Sequence, residues 1–134
     1  MLDIMFYMTH YSDVLHHTKE DLVFAKIKER DAAMADVVDD LHRQHARIHA
    51  AGAALVRHLD DVINGTIAAR ASIEAAARDY VDGLRKHMRV EESDVLPLAA
   101  TLLDSRDWSA IHSKIARVQD PLFGKHPERR RYPA

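Results

Sequence analysis

The sequence predicts an all-α protein, an up-and-down helical bundle of three long helices and a short C-terminal fourth. Only four glycines and four prolines occur among 134 residues, whereas helix-forming residues such as alanine and leucine are frequent. A hydrophobic share of 47% beside 30% charged residues is typical of one soluble domain with a real core. Apolar residues also recur in steps of three and four, the spacing of one helix face. We expect a single domain over residues 1–125 and an irregular tail over 126–134.

Two helix boundaries are marked in the first half of the chain. The first helix runs to about residue 30, where Asp31 can cap the second helix. Asn64 and Gly65 end the second helix near residue 63. Within the second helix, steps of four and three residues outline a bundle seam with a histidine at its centre. This seam consists of Met34, Val38, Leu41, His45, Ile48, Gly52, Leu55, Leu59 and Val62.

The third and fourth helices carry comparable signals. Ser72 can cap a third helix that extends to Pro97 or one turn beyond, and Asp104 or Ser105 can cap a short fourth helix. In the first and third helices, a histidine and a glutamate interrupt a mainly apolar stripe. The stripes are Leu2, Phe6, Thr9, Asp13, His16, Glu20, Val23 and Ile27 in the first helix, and Ile73, Ala77, Tyr80, Leu84, His87, Glu91, Val95 and Leu98 in the third.

A short motif therefore occurs twice on seam positions. His16 and Glu20 are four residues apart and a second acid follows, and His87 and Glu91 repeat this arrangement. The spacing places an imidazole and a carboxylate one turn apart on the same helix face. A single copy is often only a surface ion pair. Two copies on apolar seams, together with His45 on a third seam, indicate one polar site inside the bundle.

The residue types at this site point to a metal ion. An ionised glutamate without a partner in a protein interior costs several kcal/mol, and two facing carboxylates also repel each other. A cation resolves both problems. The chain contains ten histidines and no cysteine, so its metal ligands must be nitrogen and oxygen atoms. A pair of iron ions suits such a ligand set, and manganese or zinc would accept the same atoms.

The remaining histidines are weaker candidates. His49 lies one turn after His45, so the two can form a two-ligand face, but His49 also lies beside the seam rather than on it. We keep His49 as a candidate ligand. Six further histidines fall off the seams or in the C-terminal region and are given no ligand role: His10, His17, His42, His58, His112 and His126.

Three segments together resemble the hemerythrin-like, or HHE cation-binding, domain family. They are residues 16–24 (HHTKEDLVF), residues 41–45 (LHRQH) and residues 87–92 (HMRVEE), the last followed by Leu-Pro-Leu-Ala at 96–99. The resemblance runs from residue 1 to about residue 125. It implies a four-helix up-and-down bundle around a non-haem di-iron centre with an oxo or hydroxo bridge.

The resemblance also implies a ligand set. Glu20 and Glu91 would be the bridging carboxylates, and His49 corresponds to a ligand only in members that carry His-x-x-x-His on that helix. The status of His49 therefore stays open. The full set carried over by position is His16, Glu20, His45, His87 and Glu91, with His49 as a possible sixth member.

The chain departs from this family at its start, because the family's first helix, which donates another histidine, has no counterpart here. Either the natural protein is longer, or a partner supplies the helix through dimerisation or swapping. A bundle without that helix would expose an apolar groove beside its metal site, which is unfavourable for a soluble monomer. We therefore expect a homodimer, or a weakened and even mononuclear site. Partial replacement of the missing ligand by His10, His17 or His49 is a speculative alternative.

Charge and composition argue against two classes of function, nucleic-acid binding and membrane association. A net charge of −2 without a basic face argues against nucleic-acid binding. No apolar run reaches the roughly 20 residues that span a bilayer, and the N-terminus of the sequence lacks the charged n-region and small-residue cleavage site of a signal peptide. We therefore expect a cytoplasmic protein without membrane contact. The resemblance to the hemerythrin-like family implies a protein that binds or senses O2 or NO, or that handles iron, and this is the leading hypothesis. An oxidase, peroxidase or iron-cluster repair enzyme is the second hypothesis, and a metal-free helical interaction module is the third.

Overall fold

The computed structural model describes residues 2–67 and 69–115. Its helices are α1 (Leu2–Tyr7), α2 (Asp13–Arg30), α3 (Ala35–Ile63), α4 (Arg70–Val90), α5 (Leu96–Leu102) and α6 (Ser105–Lys114). A first π-turn (Met8–Ser12) joins α1 to α2, and a second π-turn (Glu91–Val95) joins α4 to α5. A short 3-10 helix (Ala32–Met34) precedes α3. Three long helical stretches and a short fourth helix confirm the predicted fold class. The predicted tail over 126–134 lies outside the described residues.

The helix ends follow the predicted signals closely. The carboxylate of Asp31 accepts a hydrogen bond from the backbone N–H of Ala33 at 3.0 Å, as a capping residue should. Gly65 ends α3 with φ of +82°, a left-handed conformation that glycine adopts without strain. The start of α4 differs from the prediction, because the helix begins at Arg70 after an extended Ala69 that makes no side-chain cap.

Pro97 lies inside the third helical stretch, which continues to Leu102. A proline in a helix interior usually clashes with the carbonyl four residues earlier and removes one hydrogen bond. Here that carbonyl belongs to Ser93, in the second π-turn, and Pro97 occupies the first turn of α5. The wider π-turn therefore allows the helix to continue past the proline.

The short helix α6 is held by a reciprocal cap. The Asp104 carboxylate accepts hydrogen bonds from the backbone N–H groups of Arg106 and Asp107 at 2.7 and 3.0 Å. The Asp107 side chain in turn accepts one from the Asp104 N–H at 3.2 Å. The Arg30 guanidinium contacts both carboxylates, at 3.1 Å from Asp104 and 2.8 Å from Asp107. These bonds fix the start of α6 beside the C-terminal end of α2.

Helix α3 is the central helix of the bundle. It packs against α4 along much of its length, and against α1 and α2 on another side, while α5 and α6 pack on α2. Within residues 2–67 and 69–115, the backbones of α2 and α4 do not approach each other closely. Their side chains nevertheless meet inside the bundle, where the rings of His17 and His87 have centroids 5.5 Å apart. None of the helices in the described ranges combines the length and apolar character that a bilayer crossing requires.

The core is divided into two apolar clusters. The lower cluster consists of Phe24, Ile27, Val38, Leu41, Val95, Ala99, Leu103 and Ile111. The upper cluster consists of Ile48, Leu55 and Tyr80, with Met5 of α1 among the partly buried residues packed on it. Between the two lies a layer of buried polar side chains, supplied by α2, α3, α4 and the start of the second π-turn. This layer coincides with the predicted polar site.

The first π-turn packs very closely on α3 and α4. A Cβ atom at Gly52 would lie 2.6 Å from Thr9 Cγ2 and 3.1 Å from Tyr80 Cε2, so no larger residue fits without movement. Thr9 is also fixed by its hydroxyl, which donates to the Met5 carbonyl at 2.8 Å. Gly83 on α4 is different, because a Cβ there would meet only Ile48 Cγ1, at an ordinary 3.7 Å.

The two glycines form a matched pair for a test of this packing. Alanine at either position should gain up to about 1 kcal/mol from helix propensity. We expect Gly83→Ala to show this gain, whereas overpacking against Thr9 and Tyr80 should make Gly52→Ala destabilising by about 1–3 kcal/mol. Chemical denaturation of metal-free protein measures both values. Equal stabilisation by the two substitutions would contradict the close approach at Gly52.

Candidate metal centre

The second π-turn keeps four inward-facing residues in register. His87, Glu91, Val95 and Ala99 are all buried, although they follow one another in steps of four. In a regular α-helix each step of four overshoots a full turn by about 40°, so such a row drifts away from the core. A π-turn has more residues per turn and removes part of this drift. The histidine and the glutamate of the third helical stretch therefore face the bundle interior together.

The first π-turn has the same effect on α2. Thr9, Asp13 and His17 are buried and follow one another in steps of four, and Glu20 comes next after a step of three. His17 therefore faces α3, where its ring stacks on that of His45 with centroids 4.0 Å apart. The expectation that His17 lies off the seam is wrong, because the alternation of four and three assumed there ignores the π-turn.

One donor group is almost completely buried. His17, Glu20, His45 and His87 are exposed by at most 8% and each offers one ligand atom within 4.8 Å of the others. The Nε2 atoms of His45 and His87 are 3.0 Å apart. Three helices contribute to this group, with α2 supplying two donors and α3 and α4 one each. The group combines three imidazole nitrogens and one carboxylate, a common ligand set for divalent transition metals.

A second donor group shares one member with the first. His16, Glu20 and Glu91 also offer ligand atoms within 4.8 Å of one another. Glu20 Oε1 lies 2.8 Å from His16 Nε2, and Glu91 Oε1 lies 2.9 Å from His87 Nε2. The His16 side chain is 59% exposed, so this group reaches the surface whereas the first does not. Glu20 belongs to both groups, which places it between two possible ion positions.

Polar residues around the layer orient two of the central imidazoles. Asp21 Oδ1 lies 3.0 Å from His45 Nδ1, and Gln44 Oε1 lies 3.3 Å from His87 Nδ1. Gln44 is itself held by Asp40, since its Nε2 donates to Asp40 Oδ2 at 2.7 Å. An acceptor at Nδ1 favours the tautomer that carries the proton there. In the neutral forms of His45 and His87, the Nε2 lone pairs would therefore face the centre of the layer.

The pKa shifts of the ionisable groups in the layer differ in direction. Burial lowers the pKa of His17 to about 4, helped by the neighbouring His45, so His17 is neutral at pH 7. Burial opposes the charged forms of Glu20 and His45 as well. The neighbouring His16 and His45 outweigh burial at Glu20 and lower its pKa to about 2. At His45, the nearby carboxylates of Glu20 and Glu91 outweigh burial and raise the pKa of this histidine to about 9. The carboxylates thus stay ionised in a buried layer.

Three atoms of the layer lack hydrogen-bond partners among the described residues. They are His17 Nε2, Glu20 Oε2 and Glu91 Oε1, all shielded from solvent. Glu91 Oε1 is close to His87 Nε2 but not in hydrogen-bond geometry, and Glu20 Oε2 is 3.6 Å from His45 Nε2. Orphaned buried polar atoms are rare in folded proteins. A nitrogen and two carboxylate oxygens that face one another are the donors a metal ion requires, so the residues fit a cation.

His49 is the one predicted ligand that the structure does not bring to this layer. It is exposed and lines a separate shallow cleft together with Thr9, His10 and Arg57. The other predicted ligands all lie in the two donor groups: His16, Glu20, His45, His87 and Glu91. His17 is the residue that the sequence reasoning missed. Its signal was the row Asp13, His17, Glu20, Phe24 and Ile27, all of which are buried.

Tyr80 closes the layer on the side of the upper cluster. Its hydroxyl donates a hydrogen bond to Asp13 Oδ2 at 2.9 Å, and both side chains are buried. Burial raises the pKa of Asp13, although the bond from Tyr80 and the nearby His16 lower it in part. Burial and the same carboxylate raise the pKa of Tyr80. The phenol therefore stays protonated and satisfied within the bundle.

Comparison with known proteins gives an independent result. The family model of the hemerythrin HHE cation binding domain matches residues 1–99, which include every residue of both donor groups. No significant match was found among curated proteins or solved structures. The matched segment is well over half of the chain and contains α1 to α4 with both π-turns. The chain therefore belongs to the hemerythrin HHE cation-binding domain family.

Proposed function

We propose that this protein holds two non-haem iron ions in its polar layer and binds or senses O2 or NO there. The observation that carries the proposal is the presence of two donor groups with Glu20 in common. A carboxylate with one oxygen toward each of two positions is suited to bridge two cations. Glu91 lies against His87 of the first group and is a member of the second, so it supports the same arrangement.

The composition of the donor groups favours iron over harder or softer cations. Three imidazoles and one carboxylate in the first group suit iron, zinc or manganese, whereas magnesium and calcium prefer oxygen ligands. The second group has one imidazole and two carboxylates, a harder set. Bound iron would supply redox-active coordination positions for a diatomic ligand. Family membership supports a cation at this place.

The two groups offer different access to small molecules. The first has four donors, all buried, whereas the second has three donors and includes the exposed His16. Iron in proteins takes up to six ligands, so a three-donor position leaves the most room for an exogenous molecule. His16 and Glu20 also line a cleft that opens to solvent. We infer that O2 or NO enters on this side.

An enzymatic role at the same centre is a second candidate. The observation that favours it is the size of that cleft, which exceeds what a diatomic molecule needs. Turnover of peroxide, or transfer of iron to an apo cluster protein, distinguishes this role from reversible binding. Binding alone predicts a spectral change on addition of O2 or NO that reverses when the gas is removed.

Exposed apolar side chains on α4 support a homodimer. Val81 and Met88 of α4 are 37% and 41% exposed and lie two turns apart on one helix face. We infer that a second copy packs on this face by an isologous contact, as is usual for dimers. The partner would then cover apolar side chains that are now exposed to solvent.

The shared carboxylates provide the main test of iron binding. We expect wild-type protein from iron-supplemented growth to contain close to two irons per chain by elemental analysis, and the Glu20→Gln, Glu91→Gln double variant to contain almost none. Iron at 100 times its Kd stabilises the folded state by about 2.7 kcal/mol, roughly 10 °C in Tm for a domain of this size. The double variant should lose this shift.

The adjacent Glu92 offers a matched control, because it is exposed and belongs to neither donor group. Glu92→Gln should leave iron content and the Tm shift unchanged. If the wild-type protein takes up no iron and the double variant is equally or more stable, the metal proposal is wrong. The layer then belongs to a metal-free helical interaction module, whose buried charges only reduce stability.

The orientation of His45 gives a second test. Asp21→Asn weakens the acceptor at His45 Nδ1, and the loss of such an outer partner typically lowers metal affinity 10–100-fold. Competition with a chelator measures this affinity. Asp36→Asn on α3 is the control, since Asp36 is exposed and far along the helix from His45. Equal affinities of the two variants would show that Asp21 does not orient the ligand.

The dimer has its own test. Met88→Glu places a charge at the centre of the inferred contact and should shift the molar mass in solution from dimer toward monomer. Val62→Glu changes a residue of similar exposure, 45%, near the end of α3 and should leave the mass unchanged. A monomeric wild-type protein at micromolar concentration would rule out the homodimer.

A further inference from the structure

We propose that the cleft bounded by α2, α5 and α6 binds a small amphipathic organic anion, with an apolar body of about eight carbons and one carboxylate. This inference goes beyond the proposed gas and iron binding, because neither its apolar walls nor its cationic group belongs to a donor group. Helix α6 forms one wall of the cleft. The contacts of Arg30 and the reciprocal cap hold this helix in place.

The size and walls of the cleft fit such a molecule. Its volume is about 760 Å³, within the 300–1,000 Å³ typical of small-molecule pockets. Five of the eleven lining residues have large apolar side chains: Val23, Leu96, Trp108, Ile111 and Ile115. Leu96 and Trp108 remain 43% and 41% exposed, so two large apolar side chains are left in contact with water. An alkyl or aryl body would remove this surface from water, which is favourable.

The charges of the cleft select an anion. Its ionisable lining residues are His16, Lys19, Glu20 and His112. The negative charge of Glu20 is compensated by His16 at 2.8 Å. Lys19 makes no ion pair with any of the described residues, so its ammonium group is the uncompensated charge at the apolar wall. The hydroxyls of Ser109 and Ser113 donate to backbone carbonyls and do not compete for the head group. A carboxylate is the natural partner of Lys19.

The inner end of the cleft reaches the metal centre. Glu20 is only 7% exposed and its Oε2 atom lacks a hydrogen-bond partner among the described residues, yet it contributes to the lining. His16 contributes to the lining as well. A bound organic anion would therefore lie beside the three-donor group. The cleft combines a defined volume, an apolar wall, an unpaired cation and a buried carboxylate at one place.

The chain carries its own reporter for this site. Trp108 is the single tryptophan of the protein and lines the cleft, so its fluorescence responds to occupancy there. Titration of the full chain with octanoate should give a saturable change in emission. Octan-1-ol should bind about tenfold more weakly, because it lacks the charge that pairs with Lys19, and octylamine should not bind measurably. The titration is repeated after metal removal by a chelator, and octanoate binding should persist.

Two variants and two controls test the assignment. Lys19→Gln should weaken octanoate about tenfold and leave octan-1-ol unchanged, whereas Leu96→Asp should abolish binding of both. Lys86→Gln on α4 and Val62→Asp on α3 alter exposed residues outside the cleft and should change neither titration. Circular dichroism confirms that each variant remains helical. A variant that does not fold is replaced by Leu96→Gln.

Several outcomes would overturn the proposal. These are a linear, non-saturating fluorescence change, equal binding of octanoate and octylamine, or octanoate binding that Leu96→Asp does not affect. A change in molar mass in Leu96→Asp would show that the cleft is a contact between two copies of the chain instead. Because the apolar wall and Lys19 need no iron, octanoate binding by a protein that takes up no metal would still support this site. Its absence from an iron-loaded protein would refute the site and leave the metal centre intact.

Discussion

Burial of two ionised carboxylates in the middle of an apolar bundle is the constraint on which the rest of the structure depends. Glu20 and Glu91 are 7% and 2% exposed, and each would cost several kcal/mol in such a place without compensation. The surrounding histidines supply part of this compensation, because they hold the pKa of both carboxyl groups below the ordinary range. Even so, one oxygen of each carboxylate is left without a hydrogen-bond partner among the described residues. A bound cation would interact with these two carboxylate oxygens, which the histidines leave without a partner.

The rest of the bundle serves to place these groups. Helix α3 supplies His45 and carries Gln44, which supports His87 on the neighbouring helix. The two π-turns keep rows of residues with four-residue spacing in line with the core, so that a histidine and its partners point inward together. Pro97 is tolerated for the same reason, since the carbonyl that it would displace lies in the second π-turn. Local irregularities of the helices are thus part of the site.

Much of this could be predicted from the sequence. The repeated His-x-x-x-Glu motif and the histidine on the α3 seam predicted that Glu20, His45, His87 and Glu91 face one interior site, because residue spacing on regular helices fixes which side chains share a face. All four side chains are buried in the polar layer, and their role as metal ligands stays a prediction. His17 could not be found in this way, since the first π-turn shifts the inward row by one residue. His16 and His17 are neighbours, and only the positions of α3 and α6 decide that one is buried and the other lines a cleft. His49 shows the opposite error, in which a correct spacing leads to an exposed position.

The division of the core has a consequence for the cooperativity of the fold. The upper and lower clusters share few apolar contacts, because the polar layer lies between them. In metal-free protein, the end of the bundle around Ile48 and Leu55 can therefore open while the end around Phe24 and Val95 stays closed, as separate units of local unfolding. An ion bound in the layer would join α2, α3 and α4 at the boundary, so that the two units would unfold together. Protection of backbone amides from hydrogen exchange would then rise at both ends of α3 when metal is added. The metal would thus determine whether α3 unfolds in two parts or as a whole.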